Sequence, residues 1–105
     1  MDNLFKIQYS TEQNHEYNIM IEYYIIGIFL LISINTTGNK SIPADTEISF
    51  PAPKGFVSVS GALCGNNLAS KPIQYLSNGI FKIFSSNGIL PYSFFGQLFT
   101  IKKTI

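Results

Sequence analysis

The chain of 105 residues has one cysteine, one histidine, no tryptophan and no arginine. Each absence excludes something. Cys64 alone allows no intrachain disulfide, so this is not a small secreted scaffold stapled by bridges. His15 and Cys64 together are two ligands short of a zinc site. Serine-histidine-aspartate chemistry would have to run through His15, and no serine stands in a Gly-x-Ser-x-Gly elbow. Charge is also scarce, at 12% against about 25% in an average domain. The net charge is +1, which excludes a strongly basic nucleic-acid binder and a charge-rich disordered chain. Hydrophobic residues make up 46%, an ordinary share. The chain is short of charge rather than unusually greasy.

No secretory leader is expected, because the opening Met1-Asp2-Asn3-Leu4-Phe5-Lys6 has an acid where a basic region belongs. Residues 19–34 are the one membrane candidate. Their uncharged part, residues 23–34, falls short of the roughly 20 residues of a spanning helix. Glu22 stands inside the longer window, and the run is rich in Ile, which favours strand.

The rest of the chain alternates short apolar runs with turn clusters. Residues 4–9 suggest a short strand. The polar residues 10–17 suggest a loop or linker, so residues 1–18 are set apart from a single domain over 19–105. Residues 23–35 suggest one strand, with Ile26, Ile28, Leu30, Ile32 and Ile34 on one face. Ile25, Gly27, Phe29, Leu31 and Ser33 are on the other. Both faces are mainly apolar, which predicts cover on both sides, and Gly27 suggests a bulge or tight crossing. Thr46-Glu47-Ile48-Ser49-Phe50 alternates cleanly and stops at Pro51-Ala52-Pro53. Further strands are expected over residues 56–64, 73–76, 80–84 and 93–101. Ser77-Asn78-Gly79-Ile80 recurs as Ser86-Asn87-Gly88-Ile89. Asn-Gly favours a two-residue type I′ hairpin, with both residues at positive φ. About six to eight short strands and no amphipathic helix predict an all-β antiparallel sandwich, jelly-roll-like.

Few residues point to chemistry. Cys64 is expected to be a small buried hydrophobe, and His15 a solvated loop residue. Asn35-Thr36-Thr37 and Asn39-Lys40-Ser41 fit the glycosylation acceptor, but asparagine here is better explained by turns. Tyr75, Tyr92, Asn66, Asn67 and Gln97 are the types that bind sugars: aromatic faces stack on C–H surfaces and amides bond hydroxyls. Their alternative use is packing and turn formation. No residues frame a catalytic or cofactor site, so no enzyme activity and no cofactor are expected.

One arrangement points to a family. A strand opened by Gly, Gly27-Ile28-Phe29-Leu30-Leu31-Ile32-Ser33-Ile34, leads to Ile42-Pro43-Ala44-Asp45-Thr46. Then come Ile48-Ser49-Phe50-Pro51, Lys54-Gly55-Phe56, the Asn78-Gly79 hairpin, and a closing stretch over residues 92–100 with Gly96 inside it. This resembles the C-terminal β-sandwich receptor-binding domain of bacteriophage tail-fibre and baseplate proteins. Tyr9-Ser10-Thr11-Glu12-Gln13 is similar to a phrase that introduces such domains. The resemblance implies a virion adhesion module: a homotrimer, seated among other tail or baseplate proteins, that attaches to a saccharide on the host surface. The rival readings are a small membrane-associated protein with residues 19–34 in the bilayer and, last, a hydrolase on a β scaffold.

Overall fold

The computed structural model describes residues 6–36, 42–65, 70–85 and 94–103. Tyr92, Asn66 and Asn67, three of the sugar-type residues, lie outside them, as do the Ser86-Asn87-Gly88-Ile89 echo and Asn39-Lys40-Ser41.

The fold is all-β and antiparallel, as expected. Among the described residues eight strands run β1 (Ile7–Asn14), β2 (Ile19–Ile26), β3 (Phe29–Thr36), β4 (Thr46–Pro51), β5 (Val59–Gly65), β6 (Ser70–Leu76), β7 (Ile80–Ser85) and β8 (Phe94–Ile101). They form one sheet in the order β1-β2-β3-β8-β5-β6-β7-β4, curled until it is nearly closed. Three consecutive hairpin strands, β5 to β7, with β4 returning beside β7, make a Greek key.

The core follows period two around the whole sheet. Ile19, Ile21 and Tyr23 of β2 face inward with Leu30, Ile32 and Ile34 of β3. Ile48 and Phe50 of β4, Ile73 and Tyr75 of β6, and Phe81 and Ile83 of β7 meet them from the other half. Tyr23 ties the halves directly, donating its hydroxyl hydrogen to the Pro51 carbonyl at 2.8 Å.

Residues 23–35, expected to be one strand, are therefore the end of β2, a turn and most of β3, and the membrane candidate 19–34 is a β-hairpin. Register runs from Ile26↔Phe29 to Ile19↔Thr36, leaving Gly27-Ile28 as a two-residue loop. Gly27 has φ +60, the glycine-first pattern of a type II′ turn. No helix among the described residues is long and apolar enough to cross a membrane.

Of the polar stretch 10–17 expected to be a loop, residues 10–14 are strand and only 15–17 are turn. β1 pairs with β2 along all 8 of its residues. The hairpin turn follows, with the Tyr17 N–H donating to Asn14 Oδ1 at 2.9 Å and Asn18 at φ 56. An edge strand needs no apolar inner face, which is why its polarity misleads.

β8 joins the halves. It pairs with β3 from Phe29↔Ile101 to Asn35↔Phe95, and with β5 only at Cys64↔Phe95 and Gly65↔Phe94. Lower down, the Val57 N–H donates to the Ile101 carbonyl at 2.8 Å. Between these contacts Leu98 fills the gap against Gly61, where a Cβ would lie 2.5 Å from Leu98 Cδ2.

The Asn78-Gly79 turn differs from the type I′ expectation. Leu76 pairs with Ile80, so the loop has three residues, and the Gly79 N–H donates to the Leu76 carbonyl at 3.0 Å. Gly79 has φ +95, while Asn78 is not at positive φ. This is the type I turn followed by a left-handed glycine that three-residue hairpins favour.

Candidate functional site

Alternation places every second residue of β1, β2, β3 and β8 on the outside of the sheet. The strand registers then align these residues into cross-strand rows. The end row is Ile7-Ile26-Phe29-Ile101, and all four side chains are exposed. Next comes Tyr9-Tyr24-Leu31-Phe99. The third row, Thr11-Glu22-Ser33-Gln97, is wholly polar. The fourth is Gln13-Met20-Asn35-Phe95. A polar stripe thus crosses four strands between two rows that carry aromatic residues.

Glu22 holds the only charge of these four rows. Its Oε2 accepts hydrogen bonds from the Tyr9 hydroxyl at 2.7 Å and the Tyr24 hydroxyl at 3.2 Å. The two tyrosine rings also pack, with centroids 5.0 Å apart. Phe29 and Phe99 stack across β3 and β8 at 5.2 Å, which leaves Phe99 59% exposed and Phe95 62% exposed on either side of Gln97. A shallow groove of about 590 Å³ opens beside them, lined by Glu22, Ser33, Asn35, Cys64, Phe95 and Gln97.

The opposite half of the sheet differs in its outer face, where Glu47, Ser49, Lys82, Gln74 and Ser60 are spread. Lys82 and Glu47 pair there at 3.5 Å. The scarce charge of the chain is therefore unevenly placed. In the single chain β3 is covered on one side only, because Phe29 on its outer face is exposed.

Of the sugar-type residues, Gln97 reaches this surface. Tyr75 does not. It is 0% exposed in the core, and its hydroxyl donates to the Pro53 carbonyl at 2.6 Å and accepts the Phe56 N–H at 3.4 Å. As placed, it offers no face to a ligand. Cys64 is exposed rather than buried, because it lies on the outer face at the end of β5, opposite Phe95. His15 is exposed in the β1–β2 turn, as expected. Sequence reasoning did not offer Phe95, Phe99, Ser33, Asn35 or Glu22 as ligand-binding residues. The spacing Phe95-Gly96-Gln97-Leu98-Phe99 was the available signal, since period two puts its first, third and fifth residues on one face.

Tyr9, Tyr23, Tyr24 and Tyr75 resist ionisation. The hydrogen bond to the Glu22 carboxylate pushes Tyr9 up to about 12. Loss of solvation, then the same carboxylate, raises Tyr24. Burial raises Tyr75, partly offset by the Phe56 N–H. Tyr23 is raised by burial first, then by Glu12. A raised folded-state value means that the folded chain keeps its phenolic protons longer than the unfolded one. Stability is then intact below the ordinary tyrosine value of about 10 and falls as pH rises above it. Urea unfolding from pH 8 to 12 should show a flat midpoint and then a decline beginning near pH 10. Phenolate absorbance should rise late, together with unfolding.

No family model matches the chain, and no curated protein matches it significantly.

Proposed function

We propose that the domain is a binding module that attaches to saccharide, as in the receptor-binding domains of phage tail fibres and baseplates that its sequence resembles. On this reading it is not an enzyme, it belongs to a virion, and its work is done in several copies. The observation that carries the saccharide reading is the polar row Thr11-Glu22-Ser33-Gln97 lying between exposed aromatic residues. Phe95 and Phe99 give stacking faces, while Gln97, Ser33 and Asn35 give amide and hydroxyl groups for sugar hydroxyls. The surface around them carries little charge, which suits a neutral polymer. Several weak sites of this kind, presented together, give firm attachment by avidity.

A glycan array of bacterial cell-wall polysaccharides tests this. The expected result is binding that Gln97→Ala weakens by roughly tenfold, the scale of one or two lost hydrogen bonds. Phe95→Ala should weaken it as well, without moving the melting temperature, since its ring is on the surface. Binding that both variants leave unchanged would remove the site.

A further inference from the structure

β1 is an unusual strand to keep. It is hydrogen-bonded to β2 over its whole length, yet none of its residues belongs to the buried core. Ile7 is 55% exposed and Tyr9 53%. From Ile7 to Thr11 it has no charge and no proline. Such an edge presents unpaired backbone N–H and C=O groups, and natural edges are normally guarded against pairing. The other edge, β4, is guarded: it is shorter, ends on Pro51, and carries Glu47 in an ion pair with Lys82. β1 is longer, has no proline, and carries a single charge, Glu12.

The geometry points to β1 as the pairing edge for a second copy of this chain, joined antiparallel about a two-fold axis through Tyr9. An antiparallel edge is complementary to itself under a two-fold. The sequence selects this register by charge. With Tyr9 opposite Tyr9 of the second copy, Ile7 meets Thr11, Gln8 meets Ser10, and Lys6 meets Glu12, each twice. Lys6 and Glu12 are the only charges from the described start of the chain to the end of β1, and this register places them in direct cross-strand pairs. Opposite charges so placed stabilise a sheet and like charges oppose it. Across the join the Tyr9-Tyr24-Leu31-Phe99 row of one copy runs on into the same row of the other, so the exposed Tyr9 ring gains an aromatic neighbour. The inference is independent of the saccharide reading, because association is measured without sugar.

Sedimentation over a concentration series reads the result. The wild-type chain should approach twice its 11.7 kDa mass. Lys6→Glu and Glu12→Lys each turn both attractive pairs into like-charge pairs, and each should weaken association by about tenfold. An equimolar mixture of the two variants should regain it, because every cross-strand pair is then complementary. Tyr9→Cys, made with Cys64→Ser, should form an intermolecular disulfide on mild oxidation. A wild-type monomer, a trimeric mass, or variants that associate as well alone as when mixed would each overturn the pairing. Circular dichroism of each variant checks that it is folded.

Discussion

Replacing Tyr75 by Phe is expected to lower stability by about 1–3 kcal/mol while leaving ligand binding by the folded protein intact. The ring stays, so no cavity opens. What is lost is one oxygen that serves two backbone groups, the part-buried Pro53 carbonyl at 2.6 Å and the buried Phe56 N–H at 3.4 Å. These groups belong to the turn after β4, where prolines prevent regular pairing. The Gly55 N–H reaches the Ser77 carbonyl at 3.0 Å and the Ala52 N–H reaches the Gly79 carbonyl at 2.9 Å, so the corner hangs on side-chain and turn contacts. Without the hydroxyl, the buried Phe56 N–H loses its acceptor and the Pro53 carbonyl its donor. In a domain this size, each 1 kcal/mol moves the melting temperature by roughly 4–8 °C. Tyr75→Ala adds a cavity and should cost about 3–5 kcal/mol, as large aromatic truncations do. Thermal melts of both variants, set beside saccharide binding, decide the role. A Tyr75→Phe protein with unchanged melting temperature and lost binding would return Tyr75 to the ligand surface.

Gly79→Val should be comparably damaging, for a different reason. Gly79 has φ +95, a backbone state that β-branched residues adopt only at a cost of about 1–3 kcal/mol. Space is short as well. A Cβ would lie 2.7 Å from Lys54 Cγ and 3.0 Å from the Ala52 carbonyl oxygen. The lysine can swing aside. The carbonyl is backbone and is held by its own corner, so the turn must lift away. Strain and overpacking together should reach about 2–5 kcal/mol. Asn78→Ala is the control. Asn78 is not at positive φ, so its loss should cost less than about 1 kcal/mol. Equal losses at both positions would indicate the two-residue type I′ turn instead.

The contrast between Asn78 and Gly79 shows where sequence reasoning succeeds. Residues 46–50 alternate so regularly that β4 and its inward Ile48 and Phe50 were legible. The Asn-Gly pair marked a hairpin correctly, but dipeptide identity does not fix loop length, and the extra residue changed which position needs glycine. The β2–β3 hairpin was hidden for a simpler reason. Ile25-Ile26-Gly27-Ile28-Phe29 is apolar straight through its turn, because that turn ends a greasy outer face. β1 was hidden by the reverse, a polar strand that owes its place to backbone pairing alone. Strand order was not legible at all, since nothing local tells β8 to lie between β3 and β5. For the same reason the candidate site was read only in part. Gln97 was visible as a residue type, but the polar row exists only once the registers of four strands are known.

The position of β8 also governs how the chain folds. The first three strands make a local meander, and β5 to β7 make another, so each forms from neighbouring residues. The two are stitched into one sheet only when Phe29 finds Ile101 and Cys64 finds Phe95. That closure spans most of the chain, and long-range β pairing is the slow class of folding event. Until it happens, each meander shows its apolar inner face and an unpaired strand, β3 on one side and β5 on the other. A chain with β8 undocked would show both at once, and exposed apolar faces with unpaired strand edges are what aggregation needs. Folding yield should depend on β8 more than on any other strand.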